Sequence, residues 1–188
     1  MREENFNAEN RENLGSPMVQ RIIGVDEGTL RQLAEIEKLC FSEEMAEDQE
    51  ELTEVLESPG SIHLKLEDNE GKILGYISSV RQGSEFDSLK EWDPDLEKDD
   101  SLYIHSFDIR PEARNLKNFN ALFGRLKQEA LLQGYKKLSM YARTENKLSE
   151  VLQKRYGAKF FRRIKNWRDL GEDLDYLEVD LEENNLEK

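Results

Sequence analysis

The stretch LYIHSFDIRPEARNLKNFNALF, residues 102–123, predicts a strand, a sharp turn and the start of a helix. The apolar run at 102–109 is typical of a strand, and Pro111 ends it. Apolar residues then recur at helical spacing from Leu116 onward, which predicts an amphipathic helix. The turn between the two elements, residues 114–118, is basic and rich in amides. Because a helix N-terminus presents unpaired N–H groups and a positive dipole end, this turn is a candidate anion site.

A second strand, KKLSMYAR (136–143), follows the helix. This strand–helix–strand order requires a parallel crossover, whereas hairpins elsewhere require antiparallel pairing. Periodicity and turn residues divide the rest of the chain into a strand at 19–25, helices opening at Thr29 and after Ser42, a hairpin at 61–80, an acidic loop at 81–100, a helix at 148–156, and strands at 159–167 and 175–181. The pattern predicts an α/β (α+β) fold, a mixed sheet with helices on both faces. A disordered acidic tail is expected at residues 1–17.

Charge is unevenly distributed along the 188-residue chain. The formal net charge is −14, yet residues 110–168 hold 16 basic and 4 acidic side chains. This basic segment suits an anionic ligand and the acidic remainder suits a cationic substrate, although attraction between the two parts explains the pattern equally well. No apolar run reaches the roughly 18 residues of a membrane-spanning helix, and the N-terminus lacks a secretory signal. We therefore expect a cytoplasmic protein without a membrane partner.

Three segments, in order, are similar to the GNAT superfamily of acyl-CoA N-acyltransferases. GKILGYISS (71–79) resembles the third strand of that family, and YIHSFDIRPEAR (103–114) resembles its fourth strand and the proline before its phosphate loop. ENKLSEVLQKRYGAKF (145–160) resembles the segment that runs from an Asn through a helix to a Gly. The resemblance implies one acyltransferase domain at 18–188, with a mostly antiparallel, twisted sheet of about seven strands. It also implies acetyl-CoA as co-substrate and no metal ion.

The resemblance assigns a CoA site to this chain. In the family, pantetheine lies between splayed fourth and fifth strands, so backbone groups of Phe107 and Ile109 would pair with its amides. Four residues of the turn would hold the pyrophosphate at the helix N-terminus: Arg114, Asn115, Lys117 and Asn118. Asn146 would complete the co-substrate site.

The turn departs from the family pattern Arg/Gln-x-x-Gly-x-Gly/Ala. Arg114 keeps its place, but Lys117 and Phe119 stand where glycines let a phosphate approach the backbone. An ammonium and amide donors would offset part of that loss. The alternative is an ordinary capped helix, with Asn115 or Asn118 as the N-cap and no ligand.

The resemblance implies two catalytic candidates, His105 and Tyr156. His105 falls where the family often has a carboxylate base, and an imidazole titrating near about 6.5 is fit to take a proton from an amine. Many members have a tyrosine at the position of Gln153, and its phenol protonates the departing CoA thiolate. The amide of Gln153 cannot give up a proton near neutral pH. Tyr156, three residues further on the same predicted helix, could substitute for that acid. A packed strand histidine and a core tyrosine ring are the alternatives.

The implied reaction is transfer of an acetyl (acyl) group from acetyl-CoA to a primary amine by direct attack. Glu43 and Glu44 are candidate attractors for a cationic acceptor, with solvated helix-start acids as the alternative. Trp92 is a candidate lid residue, His63 is expected on a solvent-facing strand surface, and Cys40 is expected to be a buried thiol.

The main alternative to an enzyme is a non-catalytic GNAT-fold module for interaction or CoA sensing. Nucleic-acid binding ranks last because the net charge opposes it. The sequence leaves the oligomeric state open, a homodimer included.

Overall fold

A computed structural model describes residues 16–145 and 147–182, which form seven strands and five helices. The strands are β1 Met18–Arg21, β2 Ile62–Glu67, β3 Ile73–Arg81, β4 Leu102–Ile109, β5 Lys137–Arg143, β6 Lys159–Trp167 and β7 Glu172–Asp180. The helices are α1 Glu27–Cys40, α2 Gln49–Leu56, α3 Gln82–Trp92, α4 Leu116–Leu132 and α5 Leu148–Tyr156, with a 3-10 turn at Pro111–Ala113. Residues 1–15 of the predicted tail lie outside the described residues.

The strands form one sheet in the order β1-β2-β3-β4-β5-β7-β6. Every pair is antiparallel except β4 with β5, which are joined through α4 as a parallel crossover. This arrangement confirms the predicted mostly antiparallel seven-stranded sheet.

Helices cover both faces of the sheet, as predicted. α4 packs on one face, where Phe123 and Leu126 are fully buried. α1 and α2 pack on the opposite face around Leu33, Leu52 and Tyr76. Apolar stripes at helical spacing explain this placement, because each stripe needs a sheet surface to cover it.

Both N-terminal helices begin at residues other than those predicted. Asp26 caps α1 by accepting the Thr29 N–H at 2.9 Å, so Thr29 lies inside the helix. Asp48 caps α2 in a reciprocal capping box with Glu51, so the acids after Ser42 precede this helix. In both cases an aspartate close by in sequence satisfies the first free N–H groups of the helix.

The predicted acidic loop at 81–100 is wrong in its first half, which is α3. This helix has a weak apolar period and is held by tertiary contacts: Leu89 is buried, and Trp92 packs beside it rather than forming a lid. The buried Gln82 side chain donates to the Glu97 carbonyl at 2.9 Å and so ties the helix to the following segment.

His63 is also misplaced by the sequence pattern. It is buried, with 4% of its surface exposed, because both faces of β2 are covered.

None of the helices in the described ranges combines the length and apolar character that a bilayer crossing needs.

Gly75 on β3 permits the close approach of β4. A Cβ at this position would lie 2.7 Å from the Asp108 carbonyl oxygen and 3.0 Å from the Ile109 side chain. We expect Gly75→Ala to lower the free energy of unfolding by about 1–3 kcal/mol, because the strand backbone must shift to relieve the contact. Urea unfolding measures this change.

Gly124→Ala is the matched control for Gly75→Ala. Gly124 lies within α4, and a Cβ there would meet nothing within 4 Å. Alanine is the better helix former, so we expect about 0.5–1 kcal/mol of stabilisation. Equal effects of the two substitutions would contradict the close strand approach at Gly75.

Candidate active site

A slot opens in the sheet between β4 and β5. The two strands pair only from Leu102–Leu138 to Ile104–Met140, and within the described chain no strand pairs with the rest of this edge of β4. A cavity of about 660 Å³ occupies the gap, between residues 103–109 on one side and residues 140–143 on the other. The N-terminus of α4 lies at one end of the slot, where Asn115 and Leu116 contribute to its lining.

The backbone of Phe107 and Ile109 faces the slot. The Arg110 N–H donates to the Leu74 carbonyl at 2.8 Å, while Ile109 lies opposite Gly75. In an antiparallel ladder this register directs the N–H and C=O of Ile109, and of Phe107 two residues earlier, away from β3. This part of the β4 edge has no strand partner in the described chain, and side chains of Arg114 and Cys40 donate to its Ile109 carbonyl.

The N-terminus of α4 has an internal cap. Asn115 is the N-cap and accepts the Asn118 N–H at 2.9 Å, while Asn118 donates its own side-chain amide to the Ala113 carbonyl at 2.8 Å. The backbone N–H groups of Leu116 and Lys117 have no hydrogen-bond partner in the part of the chain that the structure describes. The capped-helix prediction thus holds for Asn115, and two outward N–H groups remain for an anion.

Arg114 folds back toward the strand it follows. Its Nε donates to the Ile109 carbonyl at 2.9 Å, and one terminal nitrogen lies 3.3 Å from Cys40 Sγ. Cys40 is half-buried and lines the slot, and burial raises the pKa of its thiol. Arg114, which was predicted to bind phosphate, is therefore hydrogen-bonded to Ile109, whose backbone was predicted to bind pantetheine.

His105 occupies a bulge in β4 and lines the slot. The register with β3 skips from Ser106 to Ile104, which leaves His105 as the extra residue, a common arrangement beside active sites. Its Nε2 lies 2.5 Å from Glu47 Oε1. A carboxylate only accepts hydrogen bonds, so Nε2 carries the proton and Nδ1 is the basic atom. Burial alone would lower the pKa of His105, but the hydrogen bond and charge of Glu47 outweigh it and raise the pKa.

Carboxyl groups gather on the His105 side of the slot. Glu37 accepts the Tyr76 hydroxyl and, at 3.3 Å, the Glu47 N–H. Burial raises the pKa of Glu37, and burial followed by the charge of Glu37 raises the pKa of Asp108 well above its usual range. Asp108 is 7% exposed, and its Oδ2 has no partner within the described residues. A positive charge placed between such carboxyl groups stabilises their ionised forms.

The acidic residues suggested by the sequence are not the ones in the slot. Glu43 and Glu44 are exposed and do not line it, whereas Glu37, Glu47 and Asp108 do. Their spacing along the chain carries no shared pattern, so no sequence signal could have grouped them.

Solved structures of acetyltransferases share this architecture at low sequence identity. The ribosomal-protein-S18-alanine N-acetyltransferase of Escherichia coli aligns with a TM-score of 0.65 and 14% identity, over 88% of this chain and 94% of that one. A Desulfovibrio desulfuricans protein assigned to the GNAT family aligns with a TM-score of 0.65 and 13% identity, over 88% and 99%. The protein has the GNAT fold. No protein-family model and no curated protein matches the sequence.

A third GNAT-fold structure was solved with a ligand in place. An aminoglycoside 6'-N-acetyltransferase complexed with coenzyme A aligns with a TM-score of 0.65 and 13% identity, over 87% of this chain and 97% of that one. At these identities the likeness establishes the fold, and the roles of individual residues must be argued from their own geometry.

Phe119 stands at a glycine position of the GNAT phosphate loop and lies against the wall of the slot. Its ring stacks on Phe107 at 4.7 Å and on Phe123 at 5.6 Å between centroids. It lines the slot, which remains open beside it. The ring is therefore part of the apolar stripe of α4, as the sequence allowed.

Three other predicted residues, Lys117, Asn118 and Tyr156, do not line the slot. Lys117 and Asn118 are not among its lining residues, and Asn146 lies outside the described residues. The hydroxyl of Tyr156 donates to Asn120, its ring packs against Phe123 at 4.8 Å, and burial raises its pKa. Tyr156 does not line the slot either, so its catalytic role stays a prediction.

Proposed function

We propose that this protein transfers an acetyl group from acetyl-CoA to the primary amine of a cationic acceptor. The observation that carries the proposal is the slot: a free strand edge at Phe107 and Ile109 leads to the unpaired N–H groups at the start of α4. One end suits the amides of an extended chain and the other suits a diphosphate. The basic segment 110–168 supplies the matching charge.

The residues around the slot fit CoA with one rearrangement. Phe107 and Ile109 would hold the pantetheine amides, and the N–H groups of Leu116 and Lys117 would hold the pyrophosphate. Arg114 would leave the Ile109 carbonyl and turn to the phosphates, exchanging a neutral acceptor for a charged one. Asn115 and Asn118 would act through the cap that orients the N–H groups. Asn146 stays a candidate contact from the family resemblance.

His105 is the proposed base. An alkyl ammonium has a pKa near about 10.4 and must lose a proton before its nitrogen can attack. Glu47 fixes the ring so that Nδ1 is free to take that proton, directly or through a water molecule. The bound thioester supplies the electrophilic carbonyl. Tyr156 stays the candidate acid, and a thiolate with a pKa near about 8.5 can also leave without one.

The carboxyl cluster sets the acceptor class. Glu37, Glu47 and Asp108 line the slot beside His105, and no Lys or Arg forms an ion pair with any of them among the described residues. A second positive charge on the acceptor would favour the ionised form of these carboxyl groups and pair with them. A diamine or an amino sugar therefore fits better than a neutral amine.

Thermal melting with CoA tests the binding half of the proposal. A ligand at a hundred times its Kd stabilises the folded state by about 2.7 kcal/mol, and we expect the melting temperature to rise accordingly. Adenosine, which lacks both pyrophosphate and pantetheine, is the control ligand and should produce a much smaller shift. A thiol-release assay with a panel of diamines and neutral amines then tests transfer.

The second candidate function is a non-catalytic interaction module. Two hydrogen bonds favour it, from Arg114 Nε to the Ile109 carbonyl and from the Asn118 N–H to the Asn115 side chain, because they satisfy internally groups that CoA would need. An unchanged melting temperature at millimolar CoA would support this module and oppose the transferase.

A further inference from the structure

A row of buried polar side chains crosses the sheet from His105 to a second cavity. His63 on β2 lies opposite Ser78 on β3, and Ser78 lies opposite Ser106 on β4, next to His105. Directly opposed residues share a face of the sheet. His63 and Ser78 therefore share the face that α1 and α2 cover. His105, the third member of the row, lies next to Ser106 in β4 and bonds Glu47 of the segment that joins those two helices.

Every member of this row has a polar atom without a partner. Within the described chain, no hydrogen bond reaches His105 Nδ1, Ser78 Oγ or either ring nitrogen of His63, and all four atoms are buried. His63 and Ser78 are directly opposed, and opposed Cβ atoms lie about 5 Å apart, a gap that one water molecule can bridge. Buried polar groups in such a position bind water because an unsatisfied donor or acceptor is unfavourable.

The far end of the row borders a second cavity. His63 lines a second cavity of about 410 Å³ together with Arg21, Gly24 and Ser61. Ile23, on the same cavity, is 88% exposed. One end of the row, His105, lines the slot, and the other end, His63, lines the second cavity on the β1–β2 side of the sheet.

We propose that Ser78 and His63, with bridging water, carry the proton taken up by His105 to the second cavity. The proposal rests on the role of His105 in the proposed function. A bound CoA and a cationic acceptor would fill the slot, so the protonated base needs an exit that avoids it. The acceptor nitrogen loses a proton to Nδ1, Nδ1 releases it to water, and Ser78 and His63 pass one proton on to water in the second cavity. No electron moves.

The surroundings of His63 suit a relay better than a proton store. Arg21 from β1 and His105 from β4 are the charged and titratable groups that face it. Burial, followed by the positive charges of His105 and Arg21, lowers the pKa of His63 to about 4. A neutral imidazole accepts at one nitrogen and donates from the other, and this low pKa prevents it from retaining the proton.

Three variants of the full-length protein test the path. We expect His63→Leu and Ser78→Ala each to lower kcat about tenfold at pH 7 and to leave the CoA melting shift unchanged. Ser79→Ala is the matched control: Ser79 is equally buried on the same strand, but its Oγ donates to the Ile62 carbonyl at 2.6 Å. It should stay within about twofold of the parent kcat. Added imidazole buffer should restore part of the activity of His63→Leu.

A second readout separates failure of the path from failure of the proposed function. Exchange of the His105 Nδ1 proton with water, followed by NMR without substrate at a pH at which the ring is protonated, should slow in His63→Leu and Ser78→Ala but not in Ser79→Ala. If kcat and exchange match the parent in both variants while His105→Gln is inactive, the base stands and the path is wrong. If the parent shows no turnover at all, the exchange rates alone decide. If His63→Leu does not fold, Ser78→Ala decides.

Discussion

Replacing His105 with glutamine is expected to lower kcat at least about 100-fold, the usual minimum contribution of a positioned general base. Glutamine can still donate a hydrogen bond to Glu47, whose carboxylate would otherwise be left buried without its partner. The CoA melting shift should therefore persist. Turnover within a few-fold of the parent protein would rule out His105 as the base.

The pH profile adds a readout that a structural role of His105 would not produce. The pKa of His105 is raised above its ordinary value, and the proposed general base acts in its unprotonated form. The rate should therefore rise with pH through this raised pKa and level off above it. Glu47→Gln removes the charge that raises this pKa, so the rising limb should move to lower pH. Glu47 is a positioning residue, and an unmoved limb in Glu47→Gln would contradict that role.

Replacing Phe123 with alanine is expected to lower the free energy of unfolding by about 3–5 kcal/mol, the usual effect of removing a buried phenyl ring. Phe123 lies on the buried face of α4, and its ring packs against Phe119 at 5.6 Å and Tyr156 at 4.8 Å. Removing it opens a cavity between α4 and the sheet. A large part of the 5–15 kcal/mol typical of a domain would be lost. Urea unfolding gives the value.

Phe161→Ala is the matched control, because Phe161 lies on β6 and is 50% exposed. The same atoms are removed at the surface, so a loss of less than about 1 kcal/mol is expected. Phe123→Ala should also weaken CoA binding, since the aromatic stack fixes the start of α4 beside the slot. Equal losses of stability in the two variants would show that the stack contributes little to the position of α4.

The β4–turn–α4 unit could be predicted from the sequence because its signals are local. The apolar run ends at Pro111, and the stripe from Leu116 onward repeats at helical spacing. Asn115 as N-cap follows from its own side chain, which bonds three residues ahead. These features depend on neighbours in the chain, so the sequence pattern could predict the strand, turn and helix that line one side of the slot.

The chemistry inside the slot was not predictable in the same way. Glu47 meets His105 across 58 residues of sequence, and its segment showed no motif. His63 follows an alternating pattern typical of a half-exposed strand, yet helices cover both faces of β2. α3 has a weak apolar period, and burial of Gln82 and Leu89 decides its place. In each case a distant element supplies the partner.

The sequence by itself determined the order of strands and helices apart from α3, the parallel crossover and the helix start that faces the slot. Periodicity, caps and turn residues act over a few positions, and these interactions survive in any context that covers the apolar stripes. Only the tertiary structure decided which carboxyl groups meet His105, where the Arg114 side chain turns, and that β4 and β5 part after Ile104. Those outcomes depend on packing between segments far apart in the chain, where charge and burial act through space and leave no periodic trace.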